Sequence, residues 1–264
     1  MGTYLFMDNL QAVIFGIIEG ITEFLPISST GHLMLAAHAM GLGQTSFLKS
    51  FEIVIQFGAI LSVVALYWRS LLVNREILKR VIVAFIPTGI LGLTLYKLVK
   101  KYLMASNTVV LWSLLIGGIF LIVFELIHKE KDDATEDLSK IPYSTSIFIG
   151  LFQSIAMIPG VSRSASTIVG GLVLGLKRKT IVEFSFLLAV PTMLAATGLD
   201  LVKNAGEFST EQFHFLAIGF VVSFFAALAG VKYLLFFIKN HTFIPFGIYR
   251  IILVAVFWYT MYVK

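Results

Sequence analysis

The chain has 264 residues, 58% of them hydrophobic and 13% charged, with 24 phenylalanines and a mean hydropathy of +0.92. That is more apolar surface than a soluble core of this size can hide, so a soluble globular protein is excluded. The formal charge of +5 sits mostly in short connecting segments with no basic patch interleaved with aromatics; it reads as membrane orientation and attraction to lipid headgroups, and no nucleic-acid partner is expected.

From the start of the chain, the apolar stretch Leu10 to Leu25 stops at Pro26-Ile27-Ser28-Ser29-Thr30-Gly31 and resumes from His32 to Leu42. Each arm is shorter than the roughly 20 residues needed to cross about 30 Å of hydrocarbon, so the pair is predicted to be a re-entrant helical hairpin. Full spans follow at Ser50 to Trp68, Val81 to Tyr96 and Val109 to Ile127. Lys129 to Lys140, with Asp132, Asp133, Glu136 and Asp137, reads as a solvated linker loop. A second broken stretch runs from Ser144 to Ile158, through Pro159-Gly160-Val161-Ser162-Arg163-Ser164, to Ala165 to Leu176. Spans at Ile181 to Val202, His214 to Phe237 and Phe243 to Val263 complete the chain. The expected fold is an all-α integral membrane protein with about six transmembrane helices and two re-entrant hairpins.

The two broken stretches align at one constant offset of 134 residues, which sets Gly16 against Gly150 and Ser28 against Ser162. Two repeats are therefore expected, at 1–128 and 144–264, with 129–143 as the linker, in a single membrane domain. Each half is a hairpin plus three spans, and three is odd. The second hairpin must then enter from the opposite face, which makes the repeat inverted and brings the broken segments together near the midplane. Of the 20 Lys and Arg, eleven fall on the face bearing the linker and the mouth of the second hairpin, and six on the other. The positive-inside rule puts the eleven in the cytoplasm, leaving both termini, Lys97 to Thr108 and Lys203 to Gln212 outside.

Charges inside these segments point to chemistry. Glu19 and Glu23 share one helical face. With no cysteine in the chain, paired carboxylates are the ligand set for a hard divalent cation, Mg²⁺ or Ca²⁺. Ser28, Ser29 and Thr30 stand where a helix restarts, where hydroxyls cap and free N–H groups bind anions, and Gly31 allows close approach. His32 adds a group titrating near neutrality, and Arg163 a planar fork matched to phosphate. Left unpaired near the bilayer centre, three charges would cost about 7 to 10 kcal/mol, comparable to a domain's whole stability. A metal–phosphate site partners all three. Glu52, Gln56, Glu183 and Ser185 fall in loosely matching places and are candidates for support, whereas Glu125, Lys232 and Arg250 are read as snorkelling or interhelical groups.

The segments Glu19-Gly20-Ile21-Thr22-Glu23-Phe24-Leu25-Pro26-Ile27-Ser28-Ser29-Thr30-Gly31-His32 and Pro159-Gly160-Val161-Ser162-Arg163-Ser164-Ala165-Ser166-Thr167 resemble the two signatures of the undecaprenyl-diphosphate phosphatases, the bacitracin-resistance family. The resemblance extends over nearly the whole chain, including Phe51 to Gln56, Glu183 to Pro191 and Phe243 to Arg250. It implies metal ligation by Glu19 and Glu23, a serine and histidine near the scissile phosphate in Ser29 and His32, and phosphate binding by Arg163. Ser28, Thr30, Ser162, Ser164 and Thr167 are implied as supporting groups. It further implies hydrolysis of a C55 prenyl diphosphate to the monophosphate, with a divalent cation, on the outer side of the bacterial cytoplasmic membrane, in the recycling of the lipid carrier for peptidoglycan. The lipid tail would rest on the Phe-rich spans. Either Ser29, with His32 as its nearest base, or His32 itself or a metal-bound water is the nucleophile. The competing class is a transporter or flippase of an anionic lipid, because broken helices in inverted repeats are also a transporter architecture.

Overall fold

In a computed structural model, residues 7–43, 45–102, 106–204 and 213–262 are described. Their regular structure is helical, with one isolated bridge between Thr135 and Leu176. The described helices are α1 (Asn9–Thr22), α2 (Ser29–Ala39), α3 (Ser46–Trp68), α4 (Arg75–Tyr102), α5 (Asn107–Ile127), α6 (Tyr143–Ser154), α7 (Arg163–Val173), α8 (Arg178–Asn204), α9 (Phe213–Phe237) and α10 (Ile244–Tyr262).

Local chemistry sets the ends. Asp8 and Gln11 close a capping box on α1, and Thr45, Asn74 and Ser106 cap α3, α4 and α5 through their side chains. Pro26 and the Pro159-Gly160 pair stop the first arm of each hairpin. The second arms end alike, with left-handed Gly41 and Gly175 and six-to-one bonds from Leu42 to Ala37 and from Leu176 to Gly171.

Five stretches are long and apolar enough to cross a membrane: Phe47–Val73, Arg75–Leu95, Asn107–Ile127, Arg178–Gly198 and Phe213–Phe237. The chain is thus a multi-pass membrane protein. The sixth expected span corresponds to α10, whose apolar stretch Ile244–Thr260 is one of the shorter ones. At 1.5 Å per residue it covers roughly 25 Å, just under a hydrocarbon core of about 30 Å. The first arms α1 and α6 are shorter still, as expected of segments that return. Of the two connections assigned to the outer face, residues 103–105 and 205–212 lie outside the described ones.

Each hairpin packs on a span of the other half: α1 lies along α9 and α6 along α4. Glycine makes the approach possible. A Cβ on Gly20 would meet the carbonyl oxygen of Ser223 at 2.5 Å, and one on Gly150 that of Ala84 at 2.0 Å, so small residues bring the backbones together as they do in lipid-embedded helix pairs. Helix α8 is central, with 61% of its apolar window buried against 22 to 44% in the other four long helices. Phe24 and Leu25, from the turn of the first hairpin, sit in the same core as Phe184 and Phe186 of α8.

The basic connections gather at one end. Arg80 donates to the Ile141 carbonyl and Tyr143 to Glu76, joining the start of α4 to the start of α6. Arg178 pairs with buried Glu125, which also accepts the Phe243 N–H, joining α8, α5 and the approach to α10. Of the two readings of Glu125 from sequence, snorkelling or interhelical, the structure takes the second: it is a buried interhelical ion-pair partner. The linker likewise differs from a solvated loop. Thr135 exchanges backbone bonds with Gly175 and Lys177, and Thr180 donates to the Glu136 carbonyl, because these unpaired backbone groups lie beside the turn after α7.

Candidate active site

The site forms where the turns of the two hairpins meet. Helix α1 ends at Thr22, and Glu23 follows one turn after Glu19; Glu19 is fully buried and Glu23 nearly so. Ser28 and Ser162 are the only non-glycine residues with positive φ among those described, at 68° and 78°. Each precedes the first residue of a second arm, Ser29 on α2 and Arg163 on α7. The left-handed step turns the chain so that both helices begin inside the protein, with their free N–H groups and positive dipole ends at the site.

Glu23 is the hub. Its Oε2 accepts the Ser29 hydroxyl at 2.5 Å and its Oε1 the Arg163 Nη2 at 3.2 Å. Arg163 donates Nη1 to the Ser185 carbonyl at 2.9 Å and lies 5.6 Å from the centre of the Phe24 ring. Ser185 also pairs with Thr167 at 2.5 Å. Across the hairpins, Ser164 donates to the Leu25 carbonyl at 2.8 Å. Glu23 and Arg163, 140 residues apart in the sequence, thus stand together with Ser29 and Glu19.

His32 is placed differently from the sequence expectation. It does not face Ser29, whose hydroxyl is taken by Glu23. Its Nδ1 lies 2.8 Å from the Ser28 carbonyl, and its Nε2 lies 2.8 Å from the Tyr249 hydroxyl of α10. One helical turn separates Ser29 and His32, but the His32 ring is drawn back along its own helix to an orphan carbonyl of the turn.

The supporting hydroxyls divide. Ser28 contributes its carbonyl to His32, and Ser162 caps α7 through the Ala165 N–H. Ser164 donates to the Leu25 carbonyl, and Thr167 lies within hydrogen-bond distance of the Arg163 and Ser164 carbonyls and of the Ser185 hydroxyl, so both brace the turn. Thr30 is exposed. Of the four candidates for support, Ser185 contacts Arg163, while no hydrogen bond or ion pair among the described residues joins Glu52, Gln56 or Glu183 to the cluster. Sequence reasoning passed over Tyr249 and gave Arg250 no part in the site, reading it as a snorkelling or interhelical group. Arg250 is fully buried and bonds the turn carbonyls of Gly160 and Val161. A charge in the middle of an apolar helix was the available signal for it; nothing in the spacing could have found Tyr249.

Two polar groups of opposite character are left over. Both carboxylate oxygens of Glu19 are buried without a hydrogen-bond partner, and so is Nε of Arg163. Buried polar groups are nearly always satisfied; by their chemistry the carboxylate could hold a cation and the guanidinium an anion.

Residues 12–256 match the family model described as Bacitracin resistance protein BacA. An undecaprenyl-diphosphatase of Sulfurihydrogenibium sp. is 52% identical over 256 residues, covering 97% of this chain and 100% of the relative. Proteins of the same name from Aquifex aeolicus and Wolinella succinogenes are 54% and 53% identical, each over 95% of this chain and 98% and 97% of their own length. From the buried Glu19–Glu23 pair, the restarted helices at Ser29 and Arg163 and these full-length similarities, the chain belongs to the bacitracin resistance protein BacA family.

Proposed function

We propose that this chain is an undecaprenyl-diphosphate phosphatase, which cleaves the phosphoanhydride of the prenyl diphosphate to give the monophosphate carrier and inorganic phosphate. Within the chain, the observation that carries the reading is the pairing of an orphan buried carboxylate, Glu19, with an orphan guanidinium donor, Arg163 Nε, in one cluster. A cation bound to a diphosphate would satisfy both.

Glu19 and Glu23 fit a divalent cation, Mg²⁺ or Ca²⁺. Among the described residues no three His, Cys, Asp or Glu gather, so substrate phosphates and water would have to complete the coordination around the two carboxylates. When bound, the cation neutralises charge on the diphosphate. The other work falls to the protein. Arg163 binds and orients the phosphate, and the N-termini of α2 and α7 add preorganised donors. Ser29, as nucleophile, passes its proton to Glu23 Oε2, the atom its hydroxyl already faces. The phosphoryl group moves to Ser29 Oγ as the prenyl monophosphate leaves, and water then releases inorganic phosphate from the serine. His32, one helical turn after Ser29 and held by Tyr249, serves acid–base work.

The finer architecture belongs to the same proposal. The matched positive-φ serines, the matched glycine caps and the reciprocal packing of α1 on α9 and α6 on α4 support an inverted repeat. The Lys- and Arg-rich end is cytoplasmic, with both termini outside and the site reached from the outer side of the cytoplasmic membrane.

Purified protein in detergent should release inorganic phosphate from a polyprenyl diphosphate, lose that activity in excess EDTA and regain it with Mg²⁺ or Ca²⁺. Binding without phosphate release would favour a carrier over an enzyme. Full turnover in EDTA, with no metal found by elemental analysis, would remove the cation from the scheme.

A further inference from the structure

We infer that Tyr249 and Arg250, adjacent on α10, are positioning residues that hold the reacting groups of both hairpins against one rigid helix. The inference rests on the phosphatase reading above.

Arg250 is 0% exposed and forms no ion pair among the described residues. Its guanidinium is satisfied by four backbone carbonyls: Nε to Leu114 at 3.2 Å, Nη1 to Val161 at 3.1 Å, and Nη2 to Ser113 at 3.0 Å and Gly160 at 2.9 Å. Two of these belong to α5 and two to the turn of the second hairpin. That turn is an unusual piece of backbone. Gly160 has φ 90° and a Cβ there would stand 2.6 Å from the Val110 carbonyl oxygen, while Ser162 has φ 78°. Such conformations persist only where the surroundings over-determine them. Arg250 grips the two carbonyls immediately before Ser162, and Arg163 follows directly. A buried charge in an apolar helix is expensive and marks a functional role by default, and here its donors are aimed at the backbone that sets the direction of Arg163.

Tyr249 does the corresponding task for the first hairpin. Because a carbonyl only accepts, the contact between His32 Nδ1 and the Ser28 oxygen places the proton on Nδ1. In the neutral ring Nε2 is then the acceptor, and the Tyr249 hydroxyl donates to it. The two rings are also nearly parallel, 6° apart with centres at 5.5 Å. The Ser28 carbonyl sets the tautomer, and Tyr249 holds the second nitrogen and the ring plane, as a partner on that nitrogen does for functional histidines.

The test is a pair of mutant cycles on purified protein, reading kcat, KM and melting temperature. Y249F removes only the hydroxyl and keeps the ring. It should lower kcat about tenfold with KM within about twofold and the melting temperature unchanged, and should cost nothing further in a His32→Ala background. R250K keeps the charge but loses the fork. It should lower kcat by at least about tenfold, raise KM, and show the same absence of further loss in an Arg163→Lys background. Wild-type kcat in Y249F, or losses that multiply in the double variants, would overturn the inference. If R250K does not keep its melting temperature, the Tyr249 cycle decides alone. Absence of phosphate release by the wild type would instead overturn the phosphatase reading.

Discussion

Glu23 meets both Ser29 and Arg163, and that double contact dictates how its role is best tested. Truncation to alanine would leave the Arg163 guanidinium buried without a counter-charge, a penalty of about 3 to 5 kcal/mol, and would mix unfolding with lost chemistry. Glu23→Gln and Arg163→Lys keep most of the side-chain volume, so they open no cavity, while Gln removes the charge and one of the two acceptors and Lys removes the fork. Each is expected to lower the rate of phosphate release by at least about 100-fold, the scale of a deleted transition-state contact, while the protein remains monodisperse in detergent. Near-wild-type turnover in either variant would displace the site from this cluster. Glu19 behaves differently because it has no protein partner to lose. Glu19→Gln should leave the melting temperature equal or higher, since it removes an uncompensated buried charge, and should raise the concentration of Mg²⁺ or Ca²⁺ needed for half-maximal activity.

At the scale of elements, the hairpins are held by close backbone approach, where lipid supplies no hydrophobic drive between helices. Gly150→Ala would push a methyl to 2.0 Å from the Ala84 carbonyl oxygen, and backbone has nowhere to retreat. The expected loss is about 1 to 3 kcal/mol, read as a lower melting temperature in detergent. Gly198→Ala on α8 is the control, because nothing lies within 4 Å of its added Cβ; it should be neutral or stabilising by up to about 1 kcal/mol through better helix propensity. Equal melting temperatures for the two variants would show that α6 does not pack on α4 this closely. The same elements explain why the hairpins were legible early: short apolar arms with Pro, Gly and hydroxyl residues between them have few other solutions in a membrane.

For the whole molecule, the orientation joins the charge asymmetry to the clustering of basic connections at one end. The chain has no cysteine, so single cysteines report without background. Asn74, Asp133 and Asn107 are all exposed. Asp133 is a better linker probe than Thr135, whose backbone is paired to the turn after α7. In intact cells a membrane-impermeant thiol reagent is expected to label Asn107→Cys and to spare Asn74→Cys and Asp133→Cys. The opposite pattern would invert the topology, and labelling at both ends of α5 would break the inverted repeat.

The membrane setting, the all-helical class and the two helix breaks were legible in the sequence, because hydropathy and helix-breaking residues act locally, and the intramembrane charges, which must find partners, marked the candidate site. Glu19, Glu23, Ser29 and Arg163 could be named on those grounds. Their wiring could not. The nearest base to Ser29 along the chain is His32, yet the hydroxyl turns to Glu23, because the left-handed step at Ser28 rotates α2 and sends the imidazole to Tyr249, 217 residues away. Glu125 and Arg250 could be read from their positions in apolar helices as either snorkelling or interhelical groups, and only the packing of α5 on α10 and the ion pair to the start of α8 decided for burial with Arg178 and the hairpin carbonyls. Contacts between distant elements depend on which faces meet, and that is settled by tertiary packing and not by periodicity.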